Sequence, residues 1–215
     1  MSVFADLTPP YSTIVADPPW GYEGRTPPWA SSSTPSYSLM ATAEIAALPV
    51  GDLAANDAHL YLWAVLPMMA EALDVARAWG FRPDTMVTWC KPGAGLGAGW
   101  RGNTEHIIVA RRGLVYENPT CAACGGRARG ERKCSCLSPE WRHKGQPCPP
   151  PARPFLSCAE GTWHQAPRGE HSAKPPLFGD LIERMSPGPY LELFCRRPRL
   201  GWDSWGKGYE IGAAS

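Results

Sequence analysis

The sequence predicts an α/β fold built on one sheet. Runs of β-branched and aromatic residues alternate along the chain with segments of helical apolar period. A length of 215 residues with 44% hydrophobic content is enough for one well-buried core. Between 112 and about 168 the composition changes to Cys, Pro, Gly and Arg with hardly any periodicity, which marks an inserted unit. The expected organisation is a single domain over 1–215 carrying a Cys-rich insertion at 116–160.

Each element has its own warrant. "STIVA" (12–16) is a short run of β-formers and reads as a buried strand, with Asp17 opening a corner. The Pro-, Ser- and Gly-rich stretch to about Ser38 is a long surface loop of the kind that carries function on a rigid scaffold. "TAEIAAL" (42–48) reads as a short helix with Thr42 as N-cap and Glu44 in the first turn. "HLYLWAVL" (59–66) is a strand, and "MMAEALDVARAWG" (68–80) is an amphipathic helix closed by Gly80. "DTMVTWC" (84–90) and "EHIIVARR" (105–112) are further strands. After the insertion, "PPLFGDLIERMSP" reads as a helix with proline near its first turn, "YLELFC" (190–195) as a buried strand, and "GWDSWGKGYE" as a loop.

Between the strands at 84–90 and 105–112 lies "KPGAGLGAGWRGN", with a formal G-x-G-x-x-G at Gly97, Gly99 and Gly102. A dinucleotide fingerprint must open a helix, whose N-terminus holds the pyrophosphate. A strand follows here instead, so the run reads as a loop that can lie over a substrate, with Trp100, Arg101 and Asn103 as candidate contacts.

The stretch "DPPW" at Asp17 to Trp20 can be read as chemistry. Asp17 and Pro18 each precede a proline and are pushed out of the α region, which stiffens the corner. A carboxylate beside a rigid carbonyl can accept two hydrogens from one amino group, and the flanking Trp20 offers a face to an aromatic ring. That pattern suits an exocyclic NH2 on a base, whose lone pair is otherwise delocalised into the ring. Asp and Pro are also ordinary turn residues, and "TPPW" at Thr26 to Trp29 repeats the motif without the acid or the strand. The chemical reading therefore belongs to the first corner alone.

In order along the chain, "ADPPWGY", "SYSLMATAEIAALPV", "AHLYLWAV", "WGFRPDTMVTWCKP", "RGNTEHIIVARRG", "HSAKPPLFGDLIERMSPGPYLELFCR" and "GWDSWG" resemble the successive blocks of the DPPW-type adenine-N6 methyltransferases. These are relatives of the catalytic subunit of the messenger-RNA N6-methyladenosine writer. The resemblance implies a Rossmann-like methyltransferase fold in circularly permuted motif order, S-adenosylmethionine as donor and adenine N6 as acceptor. By position it implies that Asp17 and the Pro18 carbonyl hold the N6 amino group, that Pro19 stiffens the corner, and that Trp20 packs the base. It places Lys174 against the donor's methionine carboxylate, Arg196 and the backbone near Phe194 toward its ribose, and Glu192, Gly206 and Lys207 around it. Tyr22 and Tyr37 would line the acceptor pocket. Two blocks depart from the pattern: Lys207 stands where relatives often have Asn, and Arg197 to Arg199 stand where a His or Asn is frequent.

Independently, a lysine just before a helix start, as in "HSAKP", is placed for an anion, because ammonium and helix dipole add; a solvated lysine is the alternative. Glu192 inside an apolar strand calls for a hydrogen-bond partner.

Cys90 and Cys195 lie in strand-like runs and read as core residues. Cys121, Cys124, Cys134 and Cys136 form C-x2-C and C-x-C pairs that can close a tetrahedral zinc site, with Cys148, Cys158, His143 and His164 as alternative ligands and a disordered loop as the rival. Seven Arg and Lys residues face only Glu131 and Glu140 between Cys121 and Cys158, which suits contacts to nucleic-acid phosphates or a solvated basic loop. A net charge of +1 excludes a strongly basic chain. No stretch approaches a membrane span and the opening lacks the pattern of a secretory signal, so a cytoplasmic protein is expected. The expected partner is nucleic acid, DNA ahead of RNA, with a partner subunit or homodimer as a further expectation. A catalytically silent binding subunit of the same fold is the main rival.

Overall fold

The computed structural model describes residues 3–22, 38–93, 101–113, 161–169 and 173–206, together with the backbone of 142–143 and 146–147. Contacts divide the chain into one compact unit of Met1–Gly113 with Glu160–Ser215 and another of Leu114–Ala159. In chain order the elements are β1 (Tyr11–Ala16), α1 (Thr42–Ala46), β2 (Ala54–Ala64), α2 (Met69–Ala78), β3 (Arg82–Cys90), β4 (Thr104–Arg112), β5 (Arg142–His143), β6 (Gln146–Pro147), β7 (Trp163–Gln165), α3 (Pro176–Met185), β8 (Tyr190–Leu193) and β9 (Asp203–Trp205). β5 and β6 form an antiparallel ribbon within the second unit.

The first unit carries a seven-stranded sheet in the order β7-β3-β4-β2-β1-β8-β9. β4 runs antiparallel to both its neighbours, and every other pairing is parallel. The mixed α/β class expected from the sequence is present. The chain leaves β1 toward β2 on one side and returns to β8 on the other, so a topological switch point lies between β1 and β8. In open α/β sheets, ligands bind outside the carboxyl ends of the strands at such a point.

Alternation along the strands explains the two apolar layers. Ile14, Leu60, Leu62, Ile108 and Leu191 pack with Ile45 of α1 and Val75, Ala76 and the adjoining Trp79 of α2. Val15, Tyr61, Trp63, Ile107 and Val109 point the other way, onto Phe178, Leu181 and Ile182 of α3. The Trp79 indole N–H donates to the Ile45 carbonyl at 3.0 Å and ties the end of α2 to α1.

Three local readings are corrected. The N-cap of α1 is Ala41 rather than Thr42, and its backbone N–H is satisfied by the Glu44 carboxylate at 2.8 Å. Gly80 does close α2, at φ +83. The irregular stretch ends before residue 168, because β7 joins β3 in the main sheet and the Trp89 indole donates to the Ala166 carbonyl at 2.8 Å. β9 is likewise a strand where a loop was expected. Both are three residues long, too short for a period-2 signal, and their pairing partners supply the order.

Candidate active site

β1 delivers Asp17 to the carboxyl end of the sheet beside the switch point. Its backbone N–H points to the Leu193 carbonyl at 3.5 Å. The corner beyond it is held by backbone bonds. The Pro18 carbonyl accepts the Trp20 N–H at 2.9 Å, the Pro19 carbonyl accepts the Met40 N–H at 2.8 Å, and the Gly21 N–H donates to the Met40 carbonyl at 2.8 Å. One lone pair of the Pro18 carbonyl is thereby used, and a carbonyl has two.

A Cβ on Gly21 would lie 2.7 Å from the Met40 carbonyl oxygen. Gly21→Ala is therefore expected to cost about 1–3 kcal/mol through overpacking against backbone, read as a lowered urea midpoint at unchanged m-value. An unchanged midpoint would show that the corner yields freely.

One aromatic expectation is corrected. Trp20 is buried in the core, with its indole N–H donating to the Trp63 carbonyl at 3.0 Å. It braces the corner instead of offering an open face to a base, because the apolar layer under β1 and β2 takes up the ring. Tyr22 is 5% exposed and belongs to the same layer.

Around Asp17 the structure gathers charges that lie far apart in sequence. Lys174 Nζ lies 2.8 Å from Asp17 Oδ2 and 3.3 Å from Glu105 Oε2. Arg196 lies 3.2 Å from Asp17 Oδ2. Lys91 also pairs with Glu105. Indole faces back the ammonium groups, Trp63 under Lys174 at 5.0 Å and Trp89 under Lys91 at 4.6 Å. Burial disfavours the charged form of Lys174, but Asp17 and Glu105 outweigh it and hold the pKa above the ordinary lysine value. Burial likewise works against the Glu105 carboxylate, and Lys174 and Lys91 overcome it, so its pKa is lowered. Both groups are charged at neutral pH.

Glu192, on β8, accepts the Cys195 S–H at 3.4 Å, which meets the expectation that this strand carboxyl would be hydrogen-bonded. Burial pushes its pKa up. Phe194 adopts φ +61, and its ring meets Trp205 edge-on at 5.5 Å. Gly206, at φ +108, passes so close that a Cβ would lie 2.8 Å from Phe194 Cα. Cys195 is buried as expected, whereas Cys90 is only partly buried.

Asn103 donates its amide hydrogens to the Lys91 carbonyl at 3.0 Å and the Gly93 carbonyl at 3.1 Å, which ties the start of β4 to the end of β3. Arg101 is exposed. Arg199 is held by Asp180 and Glu183 of α3. His164 lies on β7 with its ring edge-on to Phe178 at 6.1 Å. Tyr37, Trp100, Lys207, Cys121, Cys124, Cys134 and Cys136 lie outside the described residues. Among the described residues, no cluster of His, Cys, Asp or Glu could hold a metal ion, and no helix is long and apolar enough to cross a membrane.

Sequence reasoning missed Glu105 and Lys91. The available signal was a carboxylate at the start of an apolar strand, but its partners lie 14 and 69 positions away.

Comparison with known proteins gives concordant matches. The MT-A70 family profile matches residues 11–120. A type II methyltransferase, M.MunI, of a Mycoplasma species is 28% identical over 214 residues, covering 91% of this chain and 76% of the relative. An N6-methyladenosine RNA methyltransferase, MTA1, of Cryphonectria parasitica is 24% identical over 217 residues, covering 94% of this chain and 53% of the relative, so the chain spans about half that protein's length.

Proposed function

The chain belongs to the MT-A70 family, and from that membership we propose that it transfers the methyl group of S-adenosylmethionine to the N6 amino group of adenine in nucleic acid, with DNA as the polymer. The observation that carries the reading is the Asp17 carboxylate at the end of β1, in a proline-stiffened corner at the switch point, with the Lys174 ammonium 2.8 Å away. DNA is preferred because the match to the type II methyltransferase extends over more of that relative than the match to the RNA enzyme.

The residues present fit the donor. Its methionine end carries one carboxylate and one ammonium group, and the site offers Lys174 and Arg196 to the first and Asp17 and Glu192 to the second. Gly206 packs so closely on the Phe194 and Cys195 backbone that no side chain fits, which fixes the chain beside Arg196. When bound, S-adenosylmethionine supplies an electrophilic methyl group and is left as the thioether S-adenosylhomocysteine, while the methylated nitrogen gives one proton up to solvent.

The chain's own residues act on the acceptor. Asp17 accepts one N6 hydrogen, and the free lone pair of the Pro18 carbonyl accepts the other, which localises the nitrogen lone pair and fixes its direction. Lys174 and Arg196 orient the Asp17 carboxylate through their contacts with Oδ2. Glu105, itself paired with Lys91, also holds Lys174. The base reaches this corner flipped from a duplex or taken from a single strand.

In the Leu114–Ala159 unit, Cys121, Cys124, Cys134 and Cys136 are assigned to a structural zinc ion on their spacing. The proposed arrangement is one methyltransferase domain over 1–215, acting in the cytoplasm, with 116–160 as an insertion whose basic residues meet phosphates. One zinc per chain by elemental mass spectrometry would support the metal site, and a metal-free, fully folded chain would sink it.

The test of function is transfer of labelled methyl from S-adenosylmethionine to matched DNA and RNA oligonucleotides, single and double stranded. Label in N6-methyladenine of DNA supports the proposal, label in RNA alone reassigns the polymer, and absence of both transfer and cofactor binding favours the silent subunit.

A further inference from the structure

The segment between β8 and β9 carries Arg196 to Asp17, and its far side is fastened to α3. Arg199 meets Glu183 through two bonds of 2.8 Å, from Nε to Oε1 and from a terminal nitrogen to Oε2, and meets Asp180 at 2.6 Å. The Trp202 indole donates to the same Glu183 oxygen at 2.8 Å. The Trp202 backbone N–H donates to the Arg199 carbonyl at 3.2 Å, which closes a turn. The Trp202 ring stacks on Tyr190 of β8 at 5.0 Å and 11°, and the Arg199 guanidinium lies 5.7 Å from its centre. α3 is shaped to receive this group, since a Cβ on Gly179 would lie 2.6 Å from the guanidinium. α3 begins at Pro176, two residues beyond Lys174.

The clamp therefore joins the two pieces of chain that deliver cations to Asp17. On the reading of this site as a methyl-donor site, we propose that Arg199, with Glu183 and Asp180, is a positioning device that fixes Arg196 and Lys174 relative to each other and so sets the affinity for S-adenosylmethionine. Arg199 is engaged by Glu183 and Asp180 and acts through Arg196 and Lys174. Half-exposed ion pairs contribute little to global stability, whereas the bidentate fork of arginine constrains direction and spacing. Its energetic signature belongs in ligand affinity more than in unfolding.

The experiment uses the full chain with Arg199→Ala, Arg199→Lys, Glu183→Gln and, as reference, Arg196→Ala. S-adenosylmethionine binding is followed by calorimetry, steady-state transfer with cofactor varied, and unfolding by thermal midpoint. Arg199→Ala is expected to raise Kd and KM for the cofactor about tenfold through loosened positioning, with the loss in KM rather than in kcat. Glu183→Gln should act in the same direction, and Arg199→Lys should recover only part of the affinity, because an ammonium cannot form the fork. A cofactor Kd within twofold of wild type for Arg199→Ala, whatever happens to the thermal midpoint, would show a purely structural clamp and overturn the proposal. If Arg196→Ala also leaves cofactor affinity unchanged, the donor-site reading itself fails. If only Arg199→Ala is without effect, the clamp inference alone fails.

Discussion

Asp17→Asn is expected to lower methyl transfer by roughly 10²- to 10⁴-fold, the usual range for losing a charged group that acts on the reacting atom. Asparagine keeps the size of the side chain and one acceptor oxygen, but it brings an NH2 to the position from which the N6 hydrogen must be accepted. It also removes the anion that Lys174 and Arg196 address. Lys174 remains paired with Glu105, so the substitution leaves no uncompensated ammonium and the fold should persist. The check is kcat for the variant alongside its thermal midpoint and cofactor Kd. Transfer within tenfold of wild type in a folded variant would remove Asp17 from the chemistry.

His59 is expected to make the protein acid-labile. The residue is 1% exposed on β2, with Nδ1 2.6 Å from Ser186 Oγ, which lies 2.6 Å from the Tyr61 hydroxyl. Burial, reinforced by Arg111 and partly offset by Asp84, lowers its pKa from 6.5 to about 4. Below pH 6.5 the unfolded chain therefore binds a proton that the folded chain refuses. The stabilisation is fully present above pH 6.5 and fades as pH falls toward 4, amounting to about 3 kcal/mol at this site. Urea unfolding at pH 7 and pH 4.5, in wild type and His59→Asn, measures it. Acid-sensitive carboxylates act equally in both proteins, so the difference between the two slopes belongs to His59. Parallel slopes would mean that the folded protein accepts the proton.

Much of the fold was legible because it is local. Buried strands such as β1 and β8 are short runs of β-formers, α2 has a clear apolar stripe closed by Gly80, and the switch from strand to "DPPW" marks Asp17 without reference to any other residue. Lys174 was legible as a lysine before a helix start. The roles of Trp20, Tyr22, Asn103 and Arg199 were not, since an indole that could stack on a base and one that donates to the Trp63 carbonyl look identical in sequence. β7 and β9 escaped because their order comes from the strands they join.

The sequence by itself therefore determined the α/β class, the elements with a period of their own, and the acidic corner at Asp17, all properties set by neighbouring residues through sterics and burial pattern. Only the tertiary structure decided that Lys174 is shared between Asp17 and Glu105, that Arg196 meets the Asp17 carboxylate, and that Trp20 is a brace. Those outcomes depend on distances across 43 to 179 positions of chain. Contacts of that kind are set by sheet order and packing, which single-residue preferences do not encode.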